Sequence, residues 1–527
     1  LSYSQLSSTI GEHNYSRLLL TEDFGENSPL WVAAELQRND GPWSDIDEDV
    51  DKRNLWVNYH AQDDNNAWSA TFMGYDNQWN SADQIPQRAI DAGIIDEFGS
   101  LDTTVGGESS RYSLSTQWQH AMADNSDTSL NLYAINYRMN LWSNFTYFLD
   151  DPDNGDQYEQ VDRRQILGGE FQYHREQTLG DIEIDHILGL QLRRDNIDKV
   201  GLFHSHERER LDPIRLDAVK ETSAGVFWSG RIEFSPQWRV TVGARYDRYD
   251  FSVNTLAATD PASLPLNRGD TDDGIATGNA SLIYAPAAEW ELYASVGRGF
   301  HSNDARGVVQ AVDPNDAGAS IASADPLVAT LGHELGARWF GEDATEVAIA
   351  LWQLQIDSEL IFVGDAGGTE DTGESSTRRG VELTTMYHIN DMFTLDAAYA
   401  YSDAKFDHAV DGSRDIPGAL EDVISAGLTA QFSQGWSGAL RARYFSEYLL
   451  DGGAKAGSST LVNARIAKAF KSWTVSADVL NLLDSDDHDV EYFYASRLQG
   501  EPAEGVEDSH VHVFEPRTVR VTAQLRW

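Results

Sequence analysis

The end of the chain alternates with a period of two. In the segment Pro516 to Trp527, Val519, Val521, Ala523, Leu525 and Trp527 fall on one face of an extended strand, and Arg520, Thr522, Gln524 and Arg526 fall on the other. A strand that is apolar on one side, polar on the other and closed by an aromatic residue suits a wall with lipid outside and water inside. The pattern returns upstream at intervals of roughly ten to fifteen residues. In lipid, every backbone N–H and C=O must find a partner within the protein, so many half-polar strands cross a membrane only as a closed barrel without edges. The alternation therefore predicts an all-β fold: a transmembrane antiparallel β-barrel of about 22 strands, crossing a bacterial outer membrane many times.

Barrels grow by adding strands to one sheet, so the 527 residues are expected to form one barrel domain over 1–527 rather than several domains. Hydrophobic residues make up 41%, and no window approaches the ~20 apolar residues of a spanning helix, which excludes a helical membrane protein. The 15 Trp, 21 Tyr and 20 Phe are enough to ring both membrane surfaces with aromatic girdles. With no cysteine, neither disulfides nor thiolate metal ligation is available. The 39 basic against 85 acidic residues give a net charge of -46, which argues against nucleic acid as a partner. Such a surface suits a saline environment or draws cations toward loops and lumen. The chain opens at Leu1 without the charged and apolar regions of a signal peptide, which reads as a processed or truncated product.

Alternation places strands near 2–10, 13–22, 29–38, 52–61, 67–76, 110–121, 128–140, 163–174, 183–194 and 218–234. It continues near 238–251, 275–286, 289–298, 330–340, 344–356, 378–389, 393–404, 419–433, 436–446, 458–470, 473–481 and 515–527. Trp238, Val240, Val242, Ala244 and Tyr246 against Arg239, Thr241, Arg245 and Asp247 make the plainest lipid/lumen split. Short polar turns such as Asp124-Asn125-Ser126-Asp127, Gly341-Glu342-Asp343 and Ile389-Asn390-Asp391 alternate with long segments 77–109, 141–162, 195–217, 299–329, 357–377 and 482–514. Outer-membrane barrels keep short turns in the periplasm and long loops outside, so the long segments should face outward and carry function.

Three segments add a family likeness: Asn481-Leu482-Leu483-Asp484 after the penultimate strand, the Pro516-Arg517 start of the last strand, and Gly297 to Gly307, where a strand runs into a long loop. With the strand count and long outer loops, the chain resembles the barrel of TonB-dependent outer-membrane receptors over essentially its whole length. The resemblance implies capture of a scarce nutrient by the outer loops, with a metal chelate such as a ferric siderophore as the default ligand. It also implies import driven through the TonB-ExbB-ExbD complex by way of an N-terminal plug, and a terminal aromatic that serves barrel assembly. Strand-like sequence begins almost at Leu1, so the plug is expected to be removed, encoded elsewhere or dispensed with. The surroundings implied are outer-membrane lipid and lipopolysaccharide around a monomeric barrel, with no cofactor.

Several constellations could carry recognition. His301, Asn303, Asp304 and Arg306 crowd the exit of a strand, where they could meet ligand or plug or simply form a salt-bridged loop base. In the last long loop, Tyr492, Tyr494 and Arg497 could grip a flat ligand by stacking and a guanidinium contact, or pack the loop on its neighbours. Phe145 and Tyr147, and Trp79 ahead of the amides up to Arg88, have the mix of apolar area and directed hydrogen bonds that recognises sugars, peptides or chelates. Trp43, after Asp40-Gly41-Pro42, is either a vestibule residue or an interface anchor.

His510 and His512, with Asp508, Glu515 and His488-Asp489 in the same loop, and likewise His204 and His206, project to one side of an extended strand and could share a metal with a nearby carboxylate; the bland alternative is loop decoration. Asp357 to Gly368 ends in a Gly-rich rim with carboxylates but lacks the spacing of a calcium loop. No Gly-x-Ser-x-Gly elbow is present and no nucleophile accompanies the scattered histidines, so catalysis is not expected. The rival readings are a plugless porin-like diffusion channel, a transporter for an oligosaccharide or other non-iron ligand, and a surface adhesin or phage receptor. The acidic balance would disfavour a strongly anionic complex unless Arg298, Arg306 and Arg497 line its path.

Overall fold

The computed structural model describes residues 4–24, 29–122, 125–363, 368–410 and 412–527. One antiparallel sheet closes on itself: Gln5–Gly11 pairs with Ser16–Asp23 on one side and with Thr518–Arg526 on the other, Ser7 lying opposite both Leu19 and Gln524. The sheet comprises 22 barrel strands plus a three-residue piece, Ser413–Asp415, added to Phe393–Val410. Closure pairs the backbone groups of the first and last strands, as lipid demands.

The two faces differ as the alternation requires. Along Ile182–His206, Leu188, Leu190 and Leu192 are 52%, 46% and 52% exposed on the outside, while Gln191 on the inner face bonds Glu170 of the neighbouring strand. Aromatic residues gather at the strand ends next to the short turns. Trp238 stacks on Tyr284 with centroids 4.3 Å apart, Trp68 lies 5.6 Å from Trp118, and Trp290 stands opposite Trp339. These rings form the interfacial belt on the turn side.

Connections on that side are short, as at 63–65, 180–181, 236–237, 288–289 and 470–472. On the other side run 40–49, 81–105, 144–157, 259–268, 303–326, 357–375, 446–458 and 481–517. Strand ends shift by a few residues from the sequence expectation; the last strand begins at Thr518 rather than 515, and 419–433 shortens to Asp422–Gln431. Of the turn expected at 124–127, Asp124 lies outside the described residues, as do 364–367 of the Gly-rich rim.

One expected loop, 195–217, is instead a ladder. Ile182–His206 and Glu209–Ser235 are 25 and 27 residues long and stay paired up to His206 opposite Glu209. Glu207 and Arg208, both at positive φ (48° and 65°), turn the chain. About 9–11 residues suffice to cross the membrane, so this hairpin and its neighbours Tyr158–Leu179 and Trp238–Ala258 rise well above it. The lipid-facing pattern fades there because lipid is no longer outside. On the inner face Ile197, Val200, Val219, Phe251 and Val253 form an apolar cluster with Ala305 from the loop 303–326.

Candidate functional site: the extracellular mouth

Three long loops are bound into one assembly at the mouth. The last loop folds as a hairpin, His488–Ser496 against Val506–Val513, and Ile85–Pro86 from the loop 81–105 adds a third strand opposite Val511 and His510. Just after it, Arg88 at the start of the five-residue helix Gln87–Asp91 donates to Glu501 (Nη2–Oε2, 2.8 Å), to the Ser496 carbonyl (3.0 Å) and to Ser496 Oγ. The Arg88 backbone N–H donates to Asp508 at 2.8 Å. A planar guanidinium can satisfy a carboxylate and a carbonyl together, which a point-charge ammonium cannot.

The loop 144–157 joins through Tyr147. It is fully buried at positive φ (61°), and its hydroxyl donates to the Gln84 carbonyl at 2.7 Å. Gln84 donates in turn to the Tyr494 hydroxyl at 3.2 Å. Asn144 donates its backbone N–H to Asp83 and its amide to Asp102, both at 2.9 Å, and accepts from the Tyr147 N–H. The Phe148 N–H donates to the Arg497 carbonyl and the Arg497 N–H to the Thr146 carbonyl, while the Arg497 guanidinium is taken up by the Phe148 and Glu501 carbonyls. Burial pushes the Asp83 carboxyl up to about 7, with Asp102 adding to the shift.

The expected recognition residues thus divide. Tyr494, Tyr147 and Arg497 hold loops together, Phe145 packs edge-on against Tyr158 at 5.7 Å, and the Trp79 ring covers Gly107. Tyr492 instead lines an open cleft. Asn303 to Arg306 form a separate latch, whereas His301, on the strand before them, has a buried Nε2 with no hydrogen-bond partner among the described residues. Asn303 is buried and donates to the Asp325 carbonyl and to Asp371, and Asp304 caps the helix Ala305–Val309 while pairing with Arg306 at 2.7 Å. Burial raises the Asp304 carboxyl, but the charge and hydrogen bonds of Arg306 override it and leave it below the ordinary range. The same loop is pinned by Arg215, which bonds Gln310 and the fully buried Asp217. Of the three arginines that could have offset the acidity, Arg306 and Arg497 are engaged internally, and exposed Arg298 donates to the Ala276 carbonyl at 3.3 Å.

The histidine pairs do not converge. His510 is fully buried, with Nε2 2.7 Å from Ser496 Oγ and Nδ1 3.0 Å from the Asp508 carbonyl. Burial drives its pKa down to about 3. The His512 ring lies tilted against Trp43 with centroids 4.6 Å apart and pairs with Asp489 at 2.7 Å; His206 bonds the Asn154 carbonyl. Among the described residues, no three of His, Asp or Glu come together as a metal site.

The cleft lies between three loops: Pro417 and Leu420; Phe445, Tyr448, Leu450 and Asp451; and His488 to Tyr492. Its volume is about 340 Å³, in the range of small-molecule sites. His488 Nδ1 sits 3.0 Å from Glu491 Oε1, and that hydrogen bond raises the imidazole pKa. Apart from Tyr492 and the noted His488-Asp489 pair, sequence reasoning missed this lining. The i,i+3 spacing of His488 and Glu491 beside an aromatic run is the signal that could have drawn attention to it.

A family model described as TonB dependent receptor-like, beta-barrel, matches residues 3–482. The chain belongs to this family. It is therefore an outer-membrane β-barrel of the TonB-dependent receptor type, a class of transporters and receptors rather than enzymes. It is similar to the probable TonB-dependent siderophore receptor PiuA of Acinetobacter baumannii, at 23% identity over 202 residues covering 36% of this chain and 25% of that protein. It is similar also to the metal-pseudopaline receptor CntO of Pseudomonas aeruginosa, at 24% over 217 residues covering 39% and 28%. The match spans about a quarter of the length of these curated relatives.

Among solved structures, the ferric-catecholate import receptor Fiu of E. coli in its closed form superposes with a TM-score of 0.79 at 14% identity, covering all of this chain and 82% of that one. PiuA of A. baumannii gives 0.78 at 13%, with the same coverages. The copper transporter OprC gives 0.77 at 14%, covering 100% and 80%. At these identities the superpositions show the shared barrel fold.

Proposed function

We propose that this chain is the barrel domain of an outer-membrane active-transport receptor. Its outer loops capture a scarce nutrient, with a metal chelate such as a ferric siderophore as the first ligand class to test, and import is coupled to TonB-ExbB-ExbD through a plug. The observation that carries this reading is the loop assembly itself. Loops 81–105, 144–157 and 481–517 are cross-bonded through Arg88, Gln84, Tyr147 and Asn144 into a preformed rim with an open cleft beside it. A preformed rim lowers the ordering cost of capture, which a general diffusion pore does not need. The siderophore and metal receptors among the family's named relatives support the ligand class, and the family supports the coupling.

The test is growth and labelled-metal uptake under metal limitation in the native host, comparing strains with and without this protein and with and without TonB. Loss of uptake in both deletions supports the reading. TonB-independent leakage of small solutes, seen as a large steady conductance in planar bilayers, would replace it with the diffusion channel.

A further inference from the structure

The outer wall carries a patch of cations where its lipid-facing surface ends. Along Ser126–Ser143, Tyr158–Leu179 and Ile182–His206, three successive outward rows read Ala134, Leu167 and Arg194, then Asn136, Gln165 and Asn196, then Arg138, Arg163 and Lys199. The row below the first holds exposed Leu132 and Leu192, and exposed Tyr112 stands opposite Asn136 as an interfacial aromatic. The wall therefore passes from apolar to charged at the height where acyl chains give way to head groups. Inward neighbours fix which way the cations point. Asp162 and Arg164 pair inside on either side of Arg163, Arg193 and Asp195 do so around Arg194, and Val200 and Val219 of the inner apolar cluster adjoin Lys199 and Lys220.

Arg163 stands directly opposite Arg138 on one side and Lys199 on the other, an arrangement of like charges that costs stability on its own. Among the described residues, Arg138, Arg163, Arg194, Lys199 and Lys220 are exposed and make no ion pair or side-chain hydrogen bond. This holds in a chain with 85 acidic against 39 basic residues. Asp198, the outward carboxylate within the patch, accepts from Asn196 Nδ2 at 2.9 Å. At one edge Asp76 and Glu108 share a shallow recess of about 270 Å³ with Ser110, Asn140, Arg138 and Arg163. At the other edge are Asp250, Asp270 and Asp272, the first and last held by Arg248. Cations that the protein leaves unpaired at head-group height call for an anion from outside it.

We propose that this patch is a lipid site: it holds the phosphorylated sugar head group of a lipopolysaccharide molecule of the outer leaflet against the barrel wall. Guanidinium groups take phosphate oxygens in pairs, so Arg138 and Arg163 suit one phosphate, while Arg194, Lys199 and Lys220 supply a second cluster of charge. At the membrane surface, where lipid displaces water, each cation attracts an anionic head group more strongly than it would in bulk water. Bound phosphate also relieves the repulsion among Arg138, Arg163 and Lys199. The site faces away from the lumen and the mouth, so it goes beyond the receptor reading above and holds whatever nutrient is captured.

The test uses the purified full chain, stripped of lipid in detergent, with four probes: diphosphorylated lipid A, monophosphorylated lipid A, the fully dephosphorylated lipid and inorganic phosphate. Native mass spectrometry measures bound lipid, and the temperature at which heat-modifiable mobility is lost reports folding and stabilisation. Diphosphorylated lipid A should bind at least about ten-fold more tightly than the dephosphorylated lipid and raise that temperature, with the monophosphorylated form between them. In Arg163→Gln/Arg194→Gln/Lys199→Gln the preference should fall to about two-fold or less, while the lipid-free variant melts no lower than the parent because like charges have gone. Arg53→Gln, at an outward arginine already paired with Asp51, should leave the preference unchanged. Equal binding of phosphorylated and dephosphorylated lipid, an unchanged preference in the triple variant, a lipid-free triple variant that melts below the parent, or an equal loss in Arg53→Gln would each overturn the proposal. Stabilisation by inorganic phosphate equal to that by lipid A would overturn it too, in favour of a free-anion site. None of these readouts depends on TonB or on uptake.

Discussion

His510 and Tyr494 lie face to face, ring centroids 3.7 Å apart and planes 11° from parallel, and the histidine belongs to the hairpin strand that also takes Pro86 as its partner. The stack joins the two strands of the last loop where the loop 81–105 docks on them. It explains why this imidazole stays neutral: charging it would place a cation in a dry seam near Arg88.

The first expectation is that His510→Ala loosens the last loop while leaving the barrel intact. Removing a fully buried ring and its bond to Ser496 should cost the loop about 3 kcal/mol of local stability. Hydrogen exchange should quicken across 488–513, with no change in strands such as Ile182–His206.

A pH dependence follows from the same residue. The folded pKa of His510 is about 3 against an ordinary imidazole value of 6.5, so the unfolded loop binds the extra proton between those values. The contribution to loop stability is full above about 6.5 and is lost as pH falls toward 3. Asp83 works the other way. Raised from 3.8 to about 7, it favours the folded loops most below 3.8, and that contribution is lost as pH rises through 7. Asp83→Asn should abolish the loss on raising pH, and the protection of 144–157 against proteolysis should then rise between pH 5 and about 6.5 through His510 alone and be flat from there to pH 8.

Arg88→Lys should behave almost as badly as Arg88→Ala. Arg88 serves Glu501, Asp508 and the Ser496 carbonyl together. Losing that fork should cost about 2–3 kcal/mol at the contact of loops 81–105 and 481–517. A double-mutant cycle with Glu501→Gln, read by hydrogen exchange at 497–508, should show strong coupling.

Gly106→Ala tests a close approach. At φ +138°, an added Cβ would lie 2.4 Å from the Trp79 carbonyl and 2.7 Å from Arg208 Nη2. Arg208 donates to the Thr104 and Val105 carbonyls, so the alanine should displace it and free the start of that strand. The expected outcome is a lower yield of heat-modifiable, correctly inserted protein.

The lipid face is tested by paired substitutions in one strand. Leu190→Arg should destabilise the barrel by about 2–4 kcal/mol, and Gln191→Arg by under about 1 kcal/mol, measured by urea unfolding in lipid vesicles. Equal costs would contradict the assignment of faces.

The sequence alone determined the barrel, its strand number and which ends carry long loops. Each is a local property: alternation of Val519, Val521, Ala523 and Leu525 with Arg520, Thr522 and Gln524 reports a two-sided wall wherever lipid lies on one side. The same signal failed at 195–217, because above the membrane both faces meet water or protein and the pattern loses its meaning, although the backbone ladder continues. The mouth was legible only as residue types. That Tyr494 would be buried against His510 while Tyr492, two residues earlier on the same strand, lines a cleft depended on which loops pack across them. Those partners, Pro86, Gln84 and Tyr147, lie some 350 to 420 positions away in the chain. Tertiary structure alone decided the mouth, because burial and hydrogen-bond partners of loop residues are set by contacts between distant segments, which no local periodicity encodes.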